Sequence, residues 1–241
     1  MPISIEKLEK PNWGDVPMNC DSIIDRKLTE QGEMINNAFG KTNFTIIAGP
    51  MGSGKTSLCV NLVSRVFRKC FENIYVFIPA NSRKSLKNDI FEKYLPENCL
   101  YDNLTAEDLH ALYDTLKKES AEKHNSLIII DDFQCLLKDK QIVQVLSKIV
   151  TEMRHLRCSI ILLQQTFQKL QKSLRELISN IVFFQCGKSQ NFKIFNEIMQ
   201  IPQEQFEQII DLAFTTPHSW ILADLRRRDI YINGGDRIIF E

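Results

Sequence analysis

The chain has 241 residues, 44% hydrophobic and 25% charged, with 30 basic residues set against 30 acidic ones. That is enough apolar material for one large globular domain, and the balance is too even for a global field that draws the protein to nucleic acid, so any such contact must come from a local patch. The 7 cysteines (20, 59, 70, 99, 135, 158 and 186) are odd in number and never spaced C-x-x-C, which argues against a disulfide framework and for reduced, mostly buried thiols in an intracellular protein.

Residues 1–24 mix Pro, Asn and Asp with scattered apolar positions and read as an irregular arm. Ile24, Leu28, Met34 and Ile35 suggest a short helix, so residues 1–40 form an arm ahead of a single domain at 41–241. The N-terminus lacks a secretory apolar core, and no apolar run reaches the roughly 18 residues of a membrane span. Residues 44–48 (FTIIA) read as a buried strand, followed by the loop Gly49-Pro50-Met51-Gly52-Ser53-Gly54-Lys55-Thr56-Ser57 and then Leu58, Leu62, Val63 and Val66 at helical spacing.

A second strand covers 74–78 and stops at Pro79, and the charged stretch 81–94 carries a helix. Thr105, three residues before Asp108, has the pattern of a helix N-cap. Residues 126–130 form a third strand that ends in Asp131-Asp132, and Ile142, Val145, Leu146, Ile149, Val150 and Met153 mark the next helix. A fourth strand at 159–163 leads into Gln164-Gln165-Thr166. Then come a helix through Leu170, Leu174, Leu177 and Ile178, a strand at 181–185, and helices near 190–200 and 203–213. The tail changes character, with short strands at 219–223, 230–232 and 237–240 and a hairpin signal at Asn233-Gly234. Strands alternating with helices predict a mainly parallel sheet covered on both faces, with an antiparallel hairpin at one edge.

The spacing Gly49-x-x-x-x-Gly54-Lys55-Thr56 between a strand and a helix fits a phosphate-binding loop. Glycines let the backbone curl so that several N–H groups face one anion, and the helix N-terminus adds partial positive charge. Lys55 can reach the β- and γ-phosphates of ATP, and the Thr56 hydroxyl can bind Mg²⁺. A carboxylate must complete the metal site, and Asp131 stands where a buried strand delivers one to the ligand-binding edge. Asp132 is placed to orient or deprotonate the attacking water, or else to cap the next turn. An amide at the tip of the following strand, Gln164 or Gln165, can bond both water and γ-phosphate and so sense the nucleotide, the alternative being a pair of polar turn residues. Arg154, Arg157 and the run Arg226-Arg227-Arg228 are candidates for an arginine supplied by a neighbouring subunit, the alternative being a solvated face or a salt bridge. Lys84, Lys87, Lys169 and Lys172 could touch DNA or merely solubilise.

Together these residues resemble the additional-strand class of P-loop ATPases, and residues 154–185 are similar to the FtsK/HerA superfamily of DNA-pumping ATPases. On that likeness Gln165 matches the sensor glutamine, which makes it the preferred sensor of the two, and Arg154 matches the arginine ahead of the sensor strand. The compact size, the Asp-Asp ending and the tail Trp220-Ile221-Leu222-Ala223-Asp224 resemble the genome-packaging ATPases of nucleocytoplasmic large DNA viruses and virophages. The sequence departs from the superfamily pattern at Asp132, where many members carry Glu, and at Thr166-Phe167, where they carry Arg-Pro. The resemblance implies an ATPase ring, pentameric or hexameric, that threads double-stranded DNA into a capsid, with capsid or vertex proteins as partners and the infected host cytoplasm, or the virion, as its location. A AAA+-like helicase or remodeller is the first alternative, disfavoured by a tail that reads as strands rather than a helical lid. A monomeric kinase or nucleotide switch is the second, and no Asn-Lys-x-Asp base-reading motif is present.

Overall fold

The computed structural model describes residues 3–7, 33–40, 42–67, 70–84, 90–167, 170–185 and 198–240. Ten strands form one sheet: β1 (Ile3–Lys7), β2 (Phe44–Ala48), β3 (Asn73–Phe77), β4 (Leu100–Tyr101), β5 (Ser126–Asp131), β6 (Cys158–Gln164), β7 (Asn180–Phe184), β8 (Trp220–Asp224), β9 (Asp229–Ile232) and β10 (Asp236–Phe240). Strands β2, β5, β6 and β7 are buried at every position, as strands covered on both faces must be.

The order across the sheet is β1-β10-β9-β8-β7-β2-β6-β5-β3-β4. Every pair from β7 to β4 is parallel, and every pair from β7 out to β1 is antiparallel. Strand β6 lies between β2 and β5, so one strand separates the glycine-loop strand from the Asp-Asp strand.

Helices α1 (Glu33–Phe39), α2 (Lys55–Asn61), α3 (Ala80–Lys84), α4 (Ile90–Tyr94), α5 (Ala106–Ala121), α6 (Lys140–Glu152), α7 (Lys172–Arg175) and α8 (Gln203–Ala213) cover the sheet. Met34, Ile35, Cys59, Leu62 and Phe91 bring α1, α2 and α4 onto one face, against Ile47, Ile129, Ile161 and Leu163. Leu112, Leu146, Leu174 and Ile209 bring α5 to α8 onto the other, against Ile46, Ile130 and Leu162. Thr105 caps α5 by accepting from the Asp108 N–H at 3.0 Å. Helix α2 runs on into a wider turn at Leu62–Val66, closed by the Phe67 N–H on the Leu62 carbonyl at 2.7 Å.

Four sequence expectations need revision or fall outside this description. Ile3–Lys7, read as part of an irregular arm, is a strand that pairs with β10 from Ile3↔Phe240 to Lys7↔Asp236, which gives the exposed ladder of β10 a partner. The antiparallel part is more than one hairpin, because β8 joins β7 directly. The helix expected across 170–178 is only Lys172–Arg175, since the chain must enter β7 at Asn180, although Leu170, Leu174 and Ile178 are buried as their spacing suggested. Most of the helix expected at 190–200 lies outside the described residues. The Asn233-Gly234 turn has both residues at positive φ, 48° and 76°, which Asn and Gly tolerate best.

The buried Asn180 side chain donates to the Ala38 carbonyl at 2.7 Å and to the Thr45 hydroxyl at 3.2 Å, tying the end of α1 to β2 and β7. Asn180→Ala strands that carbonyl without its donor. It should cost about 1–3 kcal/mol, read as a lower denaturant midpoint at unchanged slope.

Candidate functional site

The glycine loop leaves β2 with the Gly49 N–H still bonded to the Gln164 carbonyl at 3.1 Å, so it begins as an extension of the ladder. A side chain at Gly49 would place its Cβ 2.7 Å from the Phe184 Cβ, closer than backbone-fixed atoms allow. Gly52 and Gly54 adopt φ of 74° and 105°, the region glycine occupies without strain. Helix α2 starts directly after Gly54 and no side chain caps its first turn. Such a terminus leaves N–H groups and partial positive charge for an anion. The Lys55 ammonium donates to the Gly49 and Pro50 carbonyls at 2.8 and 2.9 Å, folded back on its own loop. Burial pulls its pKa down, and the nearby Asp131 and Asp132 oppose that shift.

The Thr56 hydroxyl donates to the Asp131 carboxylate at 2.9 Å. Asp131 closes β5, level with Leu163 of β6, and is only 8% exposed. Burial pushes its carboxyl pKa up, the Thr56 hydroxyl pulls it back, the Asp132 charge pushes it further up and Lys55 again opposes. The adjoining hydroxyl and carboxylate are hard oxygen donors of the kind Mg²⁺ takes. Among the described residues no group of three or more His, Cys, Asp or Glu could hold a metal ion. Mg²⁺ bound with nucleotide phosphates needs only one or two protein oxygens, so this pair fits it. Asp132 sits at φ 64° and accepts from the Ser82 hydroxyl of α3 at 2.7 Å, so its carboxylate faces a helix across the cleft rather than capping the next turn.

Lys55, Thr56, Asp131, Asp132, Ser82, Gln134 and the Gln164-Gln165 pair line one cavity of about 330 Å³. The two glutamines differ in burial. Leu163 packs on the α2 face and Leu162 on the opposite face. Gln164, the last residue of β6, follows the Leu162 side of the pleat and borders the cavity, while Gln165, just past the strand, is exposed. Gln164 is 3% exposed, with neither amide atom bonded among the described residues.

The arginines are elsewhere. The Arg226 guanidinium donates to the Thr42 carbonyl and, at 2.8 Å, to the Ser179 hydroxyl, so it is spent at the sheet edge opposite the loop. Burial lowers its pKa, as do the charges of Arg154 and Arg227 beside it, while Asp224 opposes. Arg154, Arg227 and Arg228 are exposed. The five residues of β2 separate this edge from the loop, roughly 16 Å. Lys84 and Lys172 are exposed, and Lys87 and Lys169 lie outside the described residues.

The profile of the poxvirus A32 protein family matches residues 33–216. The chain belongs to that family. No curated protein matches the chain. Among solved structures it is similar to the DNA-packaging ATPase B204 of Sulfolobus turreted icosahedral virus, with a TM-score of 0.62 at 17% identity over 79% of this chain and 96% of that one. It is also similar to the genome-packaging NTPase B204 of Sulfolobus turreted icosahedral virus 2 in complex with AMPPCP, with a TM-score of 0.60 at 15% identity over the same shares. At such identities the likeness shows a common fold, the P-loop NTPase α/β fold with an additional strand.

The poxvirus A32 match spans the glycine loop, both aspartates and both glutamines, and stops short of His218 and Trp220. Motif reading missed Ser82 and Gln134, which line the cavity from α3 and from the turn after β5. A lone serine in a charged stretch carries no spacing signal. No helix among the described residues of this A32-family chain is long and apolar enough to cross a membrane.

Because the folded pKa of Asp131 is raised, the native state holds a proton that the unfolded state has released. Stability without nucleotide therefore falls as pH rises through the window between the two values. Asp131→Asn, which can still accept from Thr56, should melt above the parent at pH 7. The gap should close as pH falls below the carboxylate range, read by thermal unfolding across a pH series.

Proposed function

We propose that the chain is an ATP-hydrolysing motor that drives double-stranded viral DNA into a capsid. One observation carries this reading: the loop cation Lys55, the Thr56–Asp131 pair and the Asp132 carboxylate line one cavity at the end of the parallel strands. Family membership and the fold shared with viral packaging ATPases support the job done with that chemistry. Among the described residues the chain after α8 is strand and turn, where a AAA+ remodeller would carry a helical lid.

In this reading the loop N–H groups and Lys55 hold the phosphates, Lys55 exchanging the Gly49 and Pro50 carbonyls for phosphate oxygens. Thr56 and Asp131 would hold Mg²⁺, which would neutralise charge on the phosphates. Asp132, oriented by Ser82, positions the attacking water and takes its proton, and Gln165 senses the γ-phosphate from the tip of β6. Arg154 cannot reach its own nucleotide, so it acts in a neighbour's site within a ring of five or six copies. Capsid or vertex proteins complete the machine, in the host cytoplasm or the virion.

Lys55→Ala should abolish tight ATP binding. Asp132→Asn should bind ATP near-normally and turn it over roughly 10²–10⁴-fold more slowly, the usual scale for a positioned acid or base. Unchanged turnover would make Asp132 a structural partner of Ser82 only. Gln165→Ala should behave like Asp132→Asn, and a slow Gln164→Ala instead would move the sensor to Gln164.

Arg154→Ala should bind ATP and hydrolyse it slowly, by about 10³-fold or more if the arginine acts in trans. Mixing it with Lys55→Ala subunits should restore part of the activity, because an intact Arg154 then meets an intact Lys55. Mixed assemblies with no recovery would rule the trans role out.

A further inference from the structure

A second cavity, about 520 Å³, adjoins the first at the glycine loop, and most of its lining has no part in the chemistry described above. It shares Gly52, Lys55 and Thr56 with the first cavity, so the two meet there. The rest of its lining is different in kind. Phe184 and Trp220 come from β7 and β8, neighbours in the antiparallel part of the sheet, where the two residues are paired. Ser57 and Asn61 come from α2, one turn apart on the exposed side of the helix. His218 closes the wall, its ring Nδ1 3.0 Å from the Ser53 carbonyl.

A triphosphate held by the loop, with its γ-phosphate beside Asp131 and Asp132, must extend away from them. The adjoining space is this cavity, whose size is ordinary for a small-molecule site. Flat apolar walls with one or two polar groups are what a nucleobase requires, since bases stack on aromatic faces and a carboxamide can pair with an adenine edge. We infer that this cavity holds the nucleoside half of the nucleotide, the base stacking on the Trp220 indole and its edge meeting Asn61. The inference rests on the ATP reading and assigns a binding role to residues beyond the family match.

The cavity is also wired to the loop. A Cβ at Gly54 would lie 3.4 Å from the Phe184 ring and 3.5 Å from His218 Nδ1, so the loop is seated between those two side chains. Trp220 itself is pinned through its backbone. Its N–H donates to the Asn233 side chain at 2.8 Å and its carbonyl accepts from the Asn233 N–H at 2.9 Å. These bonds do not use the indole, so replacing it leaves β8 anchored.

The test is calorimetric titration of the full chain with Mg–ATP and, separately, with Mg–tripolyphosphate, which has the phosphates and no base. Trp220→Ala should weaken ATP by about 10- to 100-fold, the scale of a lost base–aromatic stack. Tripolyphosphate affinity should be unchanged, and Trp220→Phe should restore most of the ATP affinity. ATP binding unaltered in Trp220→Ala overturns the assignment, and so does an equal loss for both ligands, which would mean the indole only shapes the loop. A parent protein that binds neither ligand overturns the phosphate-loop reading itself. Should Trp220→Ala fail to fold, Asn61→Ala on the exposed side of α2 carries the same comparison: selective loss of ATP affinity supports the site, and no loss rejects it.

Discussion

The hydrogen bond from Thr56 to Asp131 joins the first turn of α2 to the end of β5 across an intervening strand. It forms only because β6 runs parallel to both neighbours in one register, with Ala48 level with Gln164 and Asp131 level with Leu163. A slip by one residue would turn Asp131 to the opposite face and leave a buried carboxylate without its donor. The continuous apolar runs of β2, β5 and β6 are thus more than core. They hold hydroxyl, carboxylate and cation at one edge, in a cleft where the carboxylate pays a desolvation penalty that a bound cation would offset.

The antiparallel half of the sheet supports the same edge from behind. β7 places Phe184 under Gly49 and Gly54, and the turn before β8 reaches Ser53 through His218. The glycines are therefore needed for two reasons. Gly52 and Gly54 meet a backbone demand for positive φ, while Gly49 meets a demand for space against Phe184. A loop held on both sides can stay preformed without ligand, with Lys55 bonded to the Gly49 and Pro50 carbonyls until a stronger acceptor arrives.

The charged side chains of the two sheet edges have different partners. Two aspartates and one lysine stand at the loop edge, while Arg154, Arg226 and Arg227 gather at the edge opposite. Arg226 is committed to Thr42 and Ser179, which leaves the exposed arginines around it to meet solvent or a neighbour.

Local chemistry determined much of this protein. Eight of the ten strands were readable, five because buried parallel strands need unbroken β-branched and aromatic runs, and three in the tail from short apolar stretches with an Asn-Gly turn between the last two. The glycine loop and the Asp-Asp ending were readable because their chemistry depends on neighbours in sequence. Tertiary structure alone decided the rest. β1 became a strand because β10 offered it a ladder, and the helix after Thr166 shrank because β7 had to start at Asn180. Ser82 met Asp132, and Trp220 came to stand beside the loop, through contacts between residues 50 to about 170 positions apart in the chain. Side chains brought together by folding leave no spacing in the sequence to read, because only the packing of whole elements fixes their distance.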